Sequence, residues 1–400
     1  MKKADVVIVG GGIAGLSTAA MLCSGSDLDV VLIEKRGIGS NQTTPVVFVG
    51  SIKEFGLEGS VLRYYSTFVV HSPLGAIAEF DYRQAALASL DYRKSCSILY
   101  NRAAADGLGL RASEATSWSP DIPDPTQPLI VHLDTGEDIQ TEVLIDASGH
   151  AQWAADRLQI ERSQYYSHCF GEYLAHCPVA DGTSFCFLAG NSRYGSGGGW
   201  FYPTGGDTVS MGYSTAIENP QTDGTRLAAG YLTAKREFQP YSDWVSEGVI
   251  RRVEGGVIPI GRIGRFVADR ILIVGDAAGQ ARPWVVMGVE SALENGRRCA
   301  RVVLEAFARR RFDRSILSNY EQEWKRINRE RFWRTASVAE LLWNRSDRDW
   351  DRYVVAYQNQ SPDQQLRGFR DNRATLFQQA YAVAGYARRQ LMKWIEGKVN

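Results

Sequence analysis

Three glycines spaced as Gly10-x-Gly12-x-x-Gly15 follow the apolar run Asp5 to Val9 and open the apolar segment Ile13 to Leu22. Each position has its own demand. The first glycine makes a tight turn, the second lets backbone come close to a diphosphate, and the third lets helix and strand pack closely. The N–H groups and partial positive charge of a helix opening there suit phosphate. A second apolar run, Val30 to Ile33, ends in Glu34, whose carboxylate accepts hydrogen bonds from ribose hydroxyls. Ala14 within the loop and Lys35 after the acid count as dinucleotide contacts too. Two further acids end apolar runs in the same way, Asp146 after Val143-Leu144-Ile145 and Asp276 after Ile271-Leu272-Ile273-Val274-Gly275.

These groups need a parallel sheet to bring them together. Residues 5 to 34 read as strand, glycine turn, helix and strand, one βαβ unit. Residues 67 to 80 alternate about Pro73-Leu74-Gly75 as a hairpin, Arg93 to Ala105 is helical, and residues 118 to 128, with four prolines, form a loop. Leu129 to Leu133 and Val143 to Asp146 form a meander that returns to the sheet, and Ile271 to Val274 is another buried parallel strand. Val289 to Phe307 follows as a helix, so the first domain is discontinuous. From about 156 to 265 the chain is aromatic and glycine-rich, with Gly197-Gly198-Gly199-Trp200-Phe201-Tyr202-Pro203 at its centre. Trp200 and Tyr202 either line a pocket or form aromatic core of a sheet.

Composition sets the class. With 45 basic and 45 acidic residues in 400, no net field draws the chain to nucleic acid, so a small or apolar molecule is the expected partner. The basic cluster Arg297, Arg298, Arg301 and Arg309 to Arg311 reads as a solvated helix face. Six scattered cysteines form no CxxC pair and five histidines show no metal-ligand spacing, so neither a metal site nor a disulfide framework is expected, and a reducing cytoplasm fits. Met1-Lys2-Lys3 before an uncharged run imitates a signal peptide, but Asp5 and the glycines argue against it. No stretch approaches the roughly 20 apolar residues of a membrane span. The tail from Leu376 to Val399 aligns Phe377, Tyr381, Ala384, Leu391 and Ile395 along one side, an arrangement for packing on the protein or, alternatively, for resting on a membrane surface as a peripheral protein would.

The glycine fingerprint alone does not separate a nicotinamide from a flavin dinucleotide; a carboxylate at Asp276 can hold the ribityl chain that only the flavin has. The sequence resembles the FAD-dependent oxidoreductases of the p-hydroxybenzoate hydroxylase fold, within them the geranylgeranyl reductase and flavin-dependent halogenase branches. Gly10 to Gly15 with Glu34, Asp146-Ala147-Ser148-Gly149, and Gly275-Asp276-Ala277-Ala278-Gly279 with Pro283 and Gly288 carry the match, and Arg93 in Asp91-Tyr92-Arg93-Lys94 matches the arginine that opens a helix beside the FAD. Trp200-Phe201-Tyr202-Pro203 is similar to a W-x-F-P segment of the reductases, whereas Val286 stands where a glycine is usual and the reductases' Cys-Gly-Gly segment is absent at Asn41 to Pro45.

The resemblance implies an α/β fold: a discontinuous Rossmann-like FAD domain (1–60, 90–155 and 266–310), a β-sheet substrate domain (61–89 and 156–265), and a helical C-terminal region (311–400). It implies FAD held by Gly10, Gly12, Ala14, Gly15, Glu34, Lys35, Arg93, Asp146, Gly149, Gly275, Asp276, Pro283 and Gly288, with Trp200 and Tyr202 in the substrate pocket. Two chemistries stay open. One is hydride transfer from reduced flavin to a double bond of an apolar, isoprenoid-like substrate. The other is O2 addition at flavin C4a for hydroxylation or halogenation of an aromatic metabolite. With no second G-x-G-x-x-G unit, electrons come from transiently bound NAD(P)H or from a separate flavin or ferredoxin reductase.

Overall fold

The strand Lys2–Val9 is flanked in parallel by Val30–Ile33 on one side and by Asp138–Asp146 on the other in the computed structural model of the chain. The structure describes residues 1–163, 165–177, 184–190, 197–217, 224–239, 241–261, 263–283, 286–343 and 345–371, with 380, 383, 384 and 387 beyond them. Most of the C-terminal segment with Phe377, Tyr381, Leu391 and Ile395 therefore lies outside the described residues.

The first sheet runs Val267–Ala268, Ile271–Ile273, Asp138–Asp146, Lys2–Val9, Val30–Ile33 and Gly109–Arg111. Val6, Val7, Ile8 and all of Val30–Ile33 are buried, as strands covered on both faces must be. Asp138–Asp146 serves two partners: its first half pairs antiparallel with Leu129–Leu133, and its last residues pair parallel with Ile271–Ile273. The expected meander is thus present, and Ala115–Ser119 is its outer strand. Across the sheet, helix Ile13–Gly25 packs on helix Val289–Arg309. A Cβ on Gly296 would stand 2.9 Å from the Ala14 carbonyl, and Ser17 Oγ donates to the Leu293 carbonyl at 2.9 Å. The outer arginines of the second helix are paired, Arg297 with Glu54 at 2.6 Å and Arg298 with Glu294 at 3.2 Å, so that cluster is a neutralised surface.

The second sheet runs Val249–Ile260, Tyr165–Ala175, Thr208–Ile217, Gly197–Gly205, Ser184–Gly190, Thr67–His71 and Ile77–Asp81. The last two strands are the hairpin expected about Pro73-Leu74-Gly75. Alternation decides its faces. Phe201 stacks on Tyr241 from helix Tyr241–Trp244, with centroids 5.1 Å apart. Trp200 and Tyr202 point the other way, into an aromatic cluster with Tyr65, Phe68, Phe80 and, from helix Asp347–Tyr357, Trp350, Tyr353 and Tyr357. A three-stranded sheet of Val46–Phe48, Leu87–Leu90 and Val61–Tyr65 lies beside them, so residues 61 to 89 divide between two sheets. Among the described residues no helix is long and apolar enough to cross a membrane.

Candidate active site

The glycine loop has the geometry its residue types require. Gly10 has φ +113°, and a Cβ there would lie 2.3 Å from the Ala147 carbonyl oxygen; one on Gly15 would lie 2.1 Å from the Gly10 carbonyl oxygen. Both positions exclude any larger residue. A Cβ on Gly12 would meet only Tyr92 Oη, at 3.2 Å, so backbone there stands open on its outer side. Gly12 caps the first helix with no side chain, and Ile13 N donates to Tyr92 Oη at 3.4 Å, which leaves the N–H groups that follow for an anion. Glu34 Oε2 accepts from Gly11 N and Oε1 from Arg36 N, both at 2.7 Å, fixing the carboxylate at the loop with acceptor capacity to spare.

Asp276 is displaced slightly from the expected strand end. The strand stops at Ile273, and Asp276 sits in the 3₁₀ turn Gly275–Ala278, where Gly275 adopts φ +71° and a Cβ on it would touch Ala14 Cβ at 2.6 Å. Gln280 holds this turn. Its Oε1 accepts from Gly275 N at 2.9 Å and its Nε2 donates to Tyr320 Oη at 2.8 Å. The Asp276 carboxylate itself accepts no hydrogen bond from any described residue, and desolvation pushes its pKa up to about 6. Gly288 faces it, with a hypothetical Cβ 3.4 Å from Oδ1. A half-buried carboxylate without a protein donor keeps both oxygens free to accept hydroxyl groups from a ligand.

Asp146 differs. Its buried carboxylate accepts from Ser148 N at 2.9 Å and Ala154 N at 2.7 Å, and burial raises its pKa. It shapes the turn that carries Gly149 (φ +68°), beside which a Cβ would find nothing within 4 Å. Arg93 is exposed and has no partner among the described residues, free to meet a phosphate, whereas Lys35 pairs with Glu114 at 2.6 Å. Pro283 is buried, and Arg282 N donates to Met287 O at 3.1 Å across the segment that leads to Gly288. Val286, at the usual glycine position, is held at φ +52°, a strained conformation for a β-branched residue.

Trp200 and Tyr202 take different roles. The Trp200 ring lies over Gly171 and Gly212, on which a Cβ would come to 3.0 and 2.1 Å of Cζ2, and its Nε1 donates to Ser210 Oγ at 3.2 Å. Trp200 stays partly exposed and packs against the same aromatic cluster as Met287 of the Pro283–Gly288 segment. Tyr202 is only 4% exposed and donates its hydroxyl to the Thr44 carbonyl. Burial and the nearby Glu254 carboxylate hold that phenol neutral.

Several residues went unnoticed in the sequence. Glu254 on the edge strand accepts from Thr44 N at 3.1 Å and from Thr44 Oγ1 at 2.7 Å, and pairs with Arg252 at 2.7 Å. With Tyr202 it ties the 41–45 loop to the substrate-side sheet. Glu290 accepts from Phe48 N and Ser51 Oγ at 2.8 Å and lies 2.9 Å from Arg282. No local pattern reveals such pairs, because their partners are about 210 and 240 positions apart. The histidines remain structural where their partners are described: His132 bridges Ser119 and Asp138 at 2.9 and 2.7 Å, stapling the meander. No group of acids, histidines and cysteines that could hold a metal occurs among the described residues.

A parallel sheet, a glycine loop at a helix start and an acid that accepts no hydrogen bond from any described residue beside it form an arrangement suited to a dinucleotide cofactor. Residues 5–45 match the FAD dependent oxidoreductase family. Digeranylgeranylglycerophospholipid reductase 3 of Methanosphaera stadtmanae is 26% identical over 226 residues, about half (55%) of each chain. Digeranylgeranylglycerophospholipid reductase 1 of Methanococcoides burtonii is 25% identical across 88% of this chain and 87% of its own. In fold the chain resembles a geranylgeranyl bacteriochlorophyll reductase-like protein from Thermoplasma acidophilum, with TM-score 0.78 and 21% identity over 92% of this chain and 96% of that one. A flavin-dependent brominase follows at TM-score 0.71 and 17% identity, over 99% and 100%.

Proposed function

We propose that this protein reduces a carbon–carbon double bond of an apolar, isoprenoid-like substrate. The observation that carries the reading is the reductase named above, which aligns over 87% of its length. When bound, reduced FAD supplies a hydride from N5 to one alkene carbon, and the other carbon takes a proton. The chain binds and orients. Gly10, Gly12, Ala14 and Gly15 present helix N–H groups to the diphosphate, Glu34 takes the adenosine ribose, Asp276 the ribityl hydroxyls and Arg93 a phosphate. Pro283, Val286 and Gly288 would border the flavin ring, and Trp200 would help to exclude water from the reacting carbons. Residues 1–60, 90–155 and 266–310 make the FAD unit in this reading, and 61–89 with 156–265 the substrate unit.

Electrons would come from NAD(P)H or from a separate reductase, since the sequence has a single G-x-G-x-x-G loop and FAD would take it. The experiment is anaerobic. Photoreduced protein mixed with a geranylgeranyl alkene under nitrogen should reoxidise its flavin and yield the saturated product. Reoxidation that waits for O2, with hydroxylated or halogenated aromatic product, supports the second reading, to which the brominase fold lends weight. A purified protein that takes up no FAD overturns both.

A further inference from the structure

The first helix begins between two groups that the glycine fingerprint does not call for. On one side Tyr92, which opens helix Tyr92–Ala105, brings Oη to 3.4 Å from Ile13 N and next to Gly12. On the other, the Gly275–Ala278 turn closes on Ala14 and carries the unpartnered Asp276 carboxylate. Tyr92 is fixed there by its own helix start, which Asp91 caps by accepting from Lys94 N at 2.9 Å.

Charge and hydrogen inventory sort the two groups. A carboxylate only accepts and repels phosphate, so Asp276 must face the hydroxyls of a sugar-alcohol chain. A phenol accepting from Ile13 N–H keeps its own hydrogen to give, and that N–H polarises it toward an anion at the helix start. Burial holds the phenol protonated, and besides Ile13 N the Cys96 thiol one turn on, a weak hydrogen-bond partner that a diphosphate oxygen would displace, and the Asp276 carboxylate act on it.

We propose that Tyr92 contacts the cofactor directly, donating its hydroxyl hydrogen to a diphosphate oxygen and so standing in for the Ile13 N–H that it accepts. The inference rests on the FAD reading above. Its test titrates wild type, Tyr92→Phe and Asp276→Asn with FAD and with ADP, which has the diphosphate but no ribityl chain, following flavin fluorescence and calorimetric heat. Loss of one hydrogen bond to a charged group should weaken Tyr92→Phe roughly ten-fold for both ligands. Asp276→Asn should weaken FAD alone. Wild-type Kd values for both ligands in Tyr92→Phe would overturn the proposal while leaving the FAD reading intact; wild type that binds neither ligand would sink both. Tyr92→Met, which keeps the bulk without the hydroxyl, replaces Phe if that variant misfolds.

Discussion

Replacing Asp276 by Asn should stabilise the protein without cofactor while weakening its hold on FAD. The carboxylate is half-buried and accepts no hydrogen bond from any described residue, and desolvation raises its pKa to about 6 from an ordinary 3.8. A carboxylate whose folded pKa is raised destabilises the fold above that pKa, and the penalty fades as pH falls through about 6 toward the unfolded value. Two units correspond to about 3 kcal/mol at pH 7.5 and about 1 kcal/mol at pH 4.5, upper limits because the side chain is only partly buried. For 400 residues melting as one unit, 3 kcal/mol raises Tm by roughly 3 °C. The assay is calorimetry of FAD-free wild type and Asp276→Asn at both pH values. Asn should melt higher at pH 7.5, and the gap should shrink to about a third of that at pH 4.5. Hydroxyls from FAD favour the ionised acid, so wild-type affinity should fall below pH 6 while the variant's stays flat. An Asn variant that melts no higher at pH 7.5, or a gap that widens in acid, would refute the reasoning.

Other substitutions probe separate parts of the site. Gly10→Ala adds a Cβ 2.3 Å from the Ala147 carbonyl at φ +113°, so it should cost more than about 2 kcal/mol and abolish FAD uptake, seen as colourless, low-melting protein. Tyr202→Phe leaves the Thr44 carbonyl without its donor and should cost about 1–2 kcal/mol in urea unfolding. It should lower kcat/KM with FAD affinity unchanged; a drop in FAD affinity would place Tyr202 at the cofactor instead. Glu254→Ala strands Arg252 and two donors of Thr44 and should cost about 3 kcal/mol, whereas Glu254→Gln should cost less, by the same unfolding measurement.

The βαβ unit, the hairpin, the meander and the last parallel strand were all readable, because each is announced locally by an apolar run and a turn. Glu34 and Asp276 stand out in the sequence because each follows a buried apolar run, though the strand before Asp276 stops at Ile273 and the acid sits in the turn after it. Tyr202 shows the limit. Its motif marks it as an aromatic of a strand but says nothing of a hydroxyl reaching Thr44, 158 positions away. Glu254 was hidden more deeply, as one acid among ordinary surface-like residues on an edge strand, and only its burial to 6% exposure distinguishes it. Asp146 carries a family motif yet spends its acceptors on backbone amides, which no spacing could foretell.

Asp138–Asp146 takes its parallel neighbour Ile271–Ile273 from far down the chain. During synthesis the ribosome delivers the glycine loop first and the acid facing it more than 250 residues later. Until then the sheet keeps an open edge able to pair with another nascent chain. Capture of the flavin is therefore a late event in biogenesis, and a chain that stalls before Asp276 is a candidate for chaperones before it can become a flavoprotein.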